Sequence, residues 1–176
     1  MKLPKVPQRI TPSFAFSMIE RCLLDCLGTR QFGKKEIETV LAFFGSDPPE
    51  CVYCGSYEVQ RWDHLVPIKK GGETVLGNMV PACAHCDDSK RDSNFYEWMI
   101  SGSESSLKNR GVKDINHRMA KIKSYVQHFG YTPRSLEDRL DKDDLEWLSI
   151  IRSRIQEIRK DIDELIKDYR TKTVNV

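Results

Sequence analysis

Six side chains in the middle of the chain have the types and spacing of a metal site beside a proton-transfer site. Cys51 and Cys54, then Cys83 and Cys86, make two Cys-x-x-Cys pairs. A thiolate pair at this spacing grips one side of a tetrahedral Zn2+, so two pairs complete a closed structural site. Between the pairs stand Asp63 and His64. Imidazole titrates near neutral pH and can take a proton from water without a permanent charge. Carboxylates such as those of Asp63 and Asp87 are hard oxygen donors, the ligand type that suits Mg2+ or Mn2+. Lys90 and Arg91 lie three and four residues beyond Asp87. On a helix all three share a face.

Taken in order, Cys51-x-x-Cys54, Asp63-His64, Gly71-Gly72, Asn78, Cys83-x-x-Cys86 and Lys90 resemble the zinc-braced, four-cysteine branch of the HNH (ββα-metal) endonucleases. The resemblance implies an α+β fold with a small ββα-metal core and a structural zinc, flanked by N-terminal and C-terminal helices. It also implies roles. His64 would be the general base that activates water, Asp63 would give an oxygen to the catalytic cation, and Asn78 would fix the loop that orients the base. The family's third motif residue, usually Asn or His, is here Asp87, with Asp88 beside it as a competing ligand. Lys90 matches the family's basic residue and would contact phosphate; Arg91 extends that surface. His85, inside the second knuckle, is displaced as a zinc ligand by the four cysteines.

Periodicity supplies the elements that must hold these groups. Residues 1–10 read as an extended basic arm carrying Lys2, Lys5 and Arg9. Thr11-Pro12-Ser13 starts a helix that Gly28 ends, and Cys22 and Cys26 fall in its apolar pattern as ordinary core residues. A second helix spans residues 34–44, with Gly45 as its cap. Residues 58–66 read as a strand, with Trp62 packed behind it. Residues 69–74 form a basic glycine turn, residues 75–80 return as a strand or irregular segment, and a helix from residues 83–87 carries Phe95, Trp98 and Met99 inward. A basic helix over residues 114–129 follows, with His117 and His128 at its surface. In the tail, Leu148, Ile151, Ile155, Ile158, Ile162, Leu165 and Tyr169 recur in steps of three and four, a coiled-coil seam that would pair two copies or pack on the protein's own helices. The expected division is 1–48 (arm and helical hairpin), 49–102 (nuclease core), 103–134 (basic loop and helix) and 135–176 (long helix for dimerisation).

The net charge of +2 among 176 residues gives little non-specific pull on DNA, so any basic surface is local. Candidates are Lys69, Lys70, Arg91, Lys108, Arg110 and Lys113. No apolar run reaches membrane-spanning length and no signal-peptide core is present, so a cytoplasmic protein is expected. The resulting reading is a DNA endonuclease of the compact restriction type, acting on duplex DNA as a homodimer. A phage or mobile-element nicking nuclease would use the same site as a monomer. A non-catalytic zinc ribbon would need the cysteines but has no use for Asp63, His64 and Asp87 together. A secreted, toxin-like nuclease would need a leader and a higher positive charge.

Overall fold

A computed structural model describes residues 11–174; the basic arm expected at residues 1–10 lies outside them. The chain divides into two compact units, one of residues 24–139 and one of the described residues up to 23 together with those from 140. Among the described residues no helix is long and apolar enough to cross a membrane.

The larger unit begins at the end of helix α1 (Pro12–Cys26). Strand β1 (Arg30–Gln31) and helix α2 (Lys34–Phe44) follow. Glu36 accepts the Gly33 amide at the start of α2, and Gly45, in the left-handed region at φ 65°, closes it. Strand β2 (Arg61–His64) leads through a single 3-10 turn (Ile68–Lys70) to β3 (Thr74–Val75), β4 (Met79–Ala82), α3 (Ala84–Lys90), α4 (Phe95–Ile100) and α5 (Ile115–His128). β2 pairs antiparallel with β4, setting Asp63 opposite Val80 and His64 opposite Met79. The parallel pair β1–β3 joins Arg30 to Thr74 and Gln31 to Val75. Two residues of strand are too short to leave an alternation signal, which is why the sequence does not announce β1.

The reversal after β2 needs its two glycines for different reasons. Gly71 sits at φ 83°, where a Cβ clashes with its own backbone. Gly72 runs so close to the preceding chain that a Cβ would fall 1.8 Å from the Val66 carbonyl oxygen. The helix expected to continue from the second knuckle through Trp98 is broken. Arg91 takes φ 51° at the end of α3, and Asn94 caps a new helix by accepting the Tyr96 amide at 2.9 Å. Asp92, Ser93 and Asn94 offer local side-chain bonds that compete with helix continuation. Trp98 and Met99 are buried nonetheless, as the sequence implies.

One core joins α2, the knuckles, β4, α4 and α5. Phe43 and Phe44 stack edgewise or tilted on Tyr125 with ring centroids 5.3 and 5.1 Å apart. The Tyr125 hydroxyl donates to the Met79 carbonyl and accepts the Gly77 amide, so α5 pins the loop that precedes β4. In α1, Leu24 is buried, but Cys22 and Cys26 are exposed. Their expected core role is therefore corrected: the helix turns Leu24 inward instead of the thiols.

In the other unit, helix α6 (Lys142–Val174) is the long tail helix. Leu148 is buried, Ile155 and Ile162 are half-buried, and Ile151, Ile158, Leu165 and Tyr169 are exposed. Arg159 donates to the Ser13 hydroxyl at 3.0 Å and Arg152 approaches Glu20, tying α6 to the first turns of α1 within the same unit.

Candidate active site and metal centre

The four knuckle cysteines converge. Their sulfurs all lie within 4.8 Å of one another, and those of Cys54 and Cys83 are 3.7 Å apart. With Zn–S bonds of about 2.3 Å, the edge of a tetrahedron is about 3.8 Å, so the cluster fits a structural zinc. Cys83 also begins α3, its sulfur accepting the Cys86 amide. Arg110 donates to the Cys86 sulfur at 3.2 Å. Hydrogen bonds among the thiols push Cys86 up and Cys51 up to about 12, while the same bonding holds Cys54 low. A cation with thiolate affinity would relieve this sharing of protons. His85 is exposed and stands outside the group.

β2 carries the chemical side chains, and successive residues point to opposite faces of a strand. Asp63 is buried and bound on both oxygens. The Tyr53 hydroxyl donates to Oδ2 at 2.6 Å, and the Lys90 ammonium lies 3.1 Å from Oδ2 and 3.3 Å from Oδ1. Burial pushes the Asp63 carboxyl above its ordinary range, against the opposing pull of Lys90 and Tyr53. Burial and then the nearby Asp63 charge push the Tyr53 phenol well up, so it remains a donor.

Lys90 corrects its expected place. It is fully buried, and its ammonium donates to the His64 carbonyl at 2.7 Å as well as to Asp63. The packing of α3 on β2 turns it inward, away from a phosphate outside the fold. Arg91 likewise leaves the face it was expected to share with Asp87, because it ends α3 and folds its Nε back onto the Asp88 carbonyl. Asp87 and Asp88 both pair with Arg61, Asp87 through Oδ2 at 2.8 Å.

His64 is buried at the end of β2, and its Nε2 is 3.0 Å from the Thr74 hydroxyl. That hydroxyl donates to Asp25 Oδ1 at 2.8 Å. Asn78 is fully buried, with Oδ1 accepting the Val66 amide and Nδ2 donating to the Glu73 and Val66 carbonyls. It thereby ties the chain just past His64 to the chain just before Thr74. It does so through backbone and not through the imidazole.

The HNH endonuclease family model matches residues 51–93. The HNH segment is 43 of 176 residues (93 − 51 + 1) and contains both knuckles, Asp63, His64, Asn78, Asp87 and Lys90. No curated protein and no solved structure matches the chain. An HNH segment with a converged four-cysteine cluster points to a metal-dependent nuclease that handles nucleic acid.

The basic residues around the segment divide by exposure. Lys70, Lys108 and Lys113 are exposed, and Lys69 is half-buried against Asp92 at 3.6 Å. Arg110 is turned to the cysteine cluster instead. Trp62 packs edgewise on Phe32, with centroids 4.9 Å apart. His117 and His128 are exposed. Three participants escaped the sequence reading, among them Tyr53, whose only signal was a phenol inside the first Cys-x-x-Cys pair, and Thr74, which follows the glycine turn. Asp25, distant in sequence, left no signal at all.

Proposed function

We propose that this chain is a DNA endonuclease that hydrolyses phosphodiesters, with His64 as the general base. The observation that carries the reading is the hydrogen bonding of His64 inside the HNH segment. Thr74 gives its one hydroxyl proton to Asp25, so toward His64 it can only accept, and Nε2 carries the ring's hydrogen. The lone pair is then on Nδ1, the nitrogen that takes the proton of the attacking water. The water oxygen bonds to phosphorus, the P–O3′ bond breaks, the departing 3′-oxygen takes a proton from solvent, and a 5′-phosphate and a 3′-hydroxyl result.

Asp63 and Asp87 are the carboxylates that would hold a catalytic Mg2+ or Mn2+. Their donor chemistry fits a hard cation, which would take the place now held by Lys90 on Asp63 and by Arg61 on Asp87. Bound there, a divalent ion would neutralise phosphate charge and help the 3′-oxygen leave. Zinc would serve only to hold the knuckles, since four sulfurs leave no open position. Lys69, Lys70, Lys108 and Lys113 are the residues proposed to contact the DNA backbone.

Duplex DNA is the proposed substrate and a homodimer the proposed form, in the manner of a restriction enzyme. The support is the exposure of Ile158, Leu165 and Tyr169 along one seam of α6. Supercoiled plasmid and linear phage DNA, incubated with zinc-loaded protein and Mg2+, Mn2+ or chelator, test this. Discrete fragments that need a divalent ion support the restriction-type reading. Nicked circles alone point to a monomeric nickase. Intact DNA under every ion leaves a zinc-ribbon binding module.

A further inference from the structure

Buried Thr74, half-buried Asp25 and exposed Arg30 line up behind His64, and the last two lie on elements the nuclease signature does not require. Nε2 of His64 meets the Thr74 hydroxyl at 3.0 Å, and that hydroxyl meets Asp25 Oδ1 at 2.8 Å. Arg30 pairs with the other Asp25 oxygen, Oδ2. Asp25 and Arg30 precede the matched segment, on the last turn of α1 and on β1.

We infer that Asp25 and Thr74 form a positioning relay that fixes the tautomer and orientation of the His64 imidazole, with Arg30 holding Asp25 in place. The backbone around the relay is pinned to serve it. Thr74 donates its amide to the Thr29 carbonyl at 3.1 Å and pairs with Arg30 across β1–β3. Glu73 accepts the Thr29 amide at 3.0 Å, and Arg134 binds the same carboxylate. Residues 25–31 therefore grip residues 73–75 from two directions, and the hydroxyl of Thr74 has one place to go. Its single proton is committed to a carboxylate, which is an acceptor only, so its lone pair faces His64.

The consequence is directional. An imidazole held by Nε2–H presents Nδ1 as its basic nitrogen, and the ring cannot flip without breaking that bond. When Nδ1 takes a proton from water, the new positive charge sits at one end of a hydrogen-bonded chain that ends on the Asp25 carboxylate. No proton moves along the chain; Thr74 keeps its own. Outer groups that orient a metal-bound histidine typically matter by about 10–100-fold, and an effect of that order is expected for this base. The inference rests on His64 being the base, and so deepens the endonuclease reading.

The test uses the full chain with 15N-labelled histidine, read by NMR for the His64 tautomer and by single-turnover DNA cleavage. In the parent, the Nε2–H tautomer with a pyridine-like Nδ1 is expected. Thr74→Val and Asp25→Asn should mix the tautomers and slow cleavage by about tenfold or more, with DNA affinity unchanged. Thr74→Ser, which keeps the hydroxyl, should restore both readouts. A parent His64 with hydrogen on Nδ1, or a tautomer and rate indifferent to Thr74→Val, overturns the relay. If His64→Ala cleaves as well as the parent, the endonuclease role of His64 fails instead, and the NMR signal tells the two failures apart.

Discussion

Asp63 and Lys90 are both buried and in contact at 3.1 Å, an ion pair inside the fold. Such a pair gains little over an apolar replacement of both members, but removing one strands the other charge at a cost of about 3–5 kcal/mol. Lys90→Met should therefore lower the urea-unfolding free energy by about that amount. Adding Asp63→Asn should recover a large part of the loss, and simple additivity of the two changes would refute the coupling. Tyr53→Phe removes a donor to a buried carboxylate and should cost about 1–3 kcal/mol in the same assay. At this scale, the cysteine cluster was legible because Cys-x-x-Cys spacing is local geometry. Lys90 was not, since position along a helix does not say which face the sheet will cover. Thr74 and Asp25 were hidden for a similar reason: 49 residues separate them, and their contact exists only once β1 pairs with β3.

Among the elements, the knuckles and α3 meet at the cysteine cluster, because Cys83 both belongs to it and caps the helix. Structural zinc is worth about 10–16 kcal/mol in small zinc peptides, comparable to the whole stability of a domain at about 5–15 kcal/mol. Chelation, or Cys83→Ser, should thus abolish cooperative unfolding near these elements. Zinc content by atomic absorption and near-UV circular dichroism would check it; a metal-free protein with an unchanged melting curve would count against a structural role. Glu73 supplies a pH test. Its burial alone would raise its pKa, but the hydrogen bonds from Thr29 and Arg134 outweigh that and leave it below the ordinary range. A depressed carboxyl contributes stability above its unfolded pKa of about 4.3 that disappears as pH falls through the lower folded value. The urea midpoint should drop over that acid window, and Glu73→Gln should flatten the drop. Helices α2 and α5 and the strand–strand–helix order were readable from apolar spacing and glycine caps. The break between α3 and α4 was not, because Asn94 as a cap and Arg91 at positive φ are local outcomes that periodicity averages over.

For the whole molecule, the tail pattern showed a seam in the sequence, and α6 leaves much of it in solvent: Ile158 is 52% exposed and Leu165 68%. Charged replacements at such positions remove knob packing between helices without disturbing a buried core. If the seam joins two copies, Leu165→Glu with Ile158→Glu should turn a dimer into a monomer by sedimentation while the circular dichroism spectrum stays the same. A parent that sediments as a monomer would assign the seam to another role. With a net charge of only +2, DNA contact through a few exposed lysines, as proposed, should give an affinity that falls only modestly with salt. The most direct single measurement is cleavage of duplex DNA by His64→Ala beside the parent, with zinc content and DNA binding matched. A loss of at least about 100-fold in rate is expected, the scale of a lost general base. Equal cleavage by the two proteins would contradict the assignment of His64 as the catalytic base.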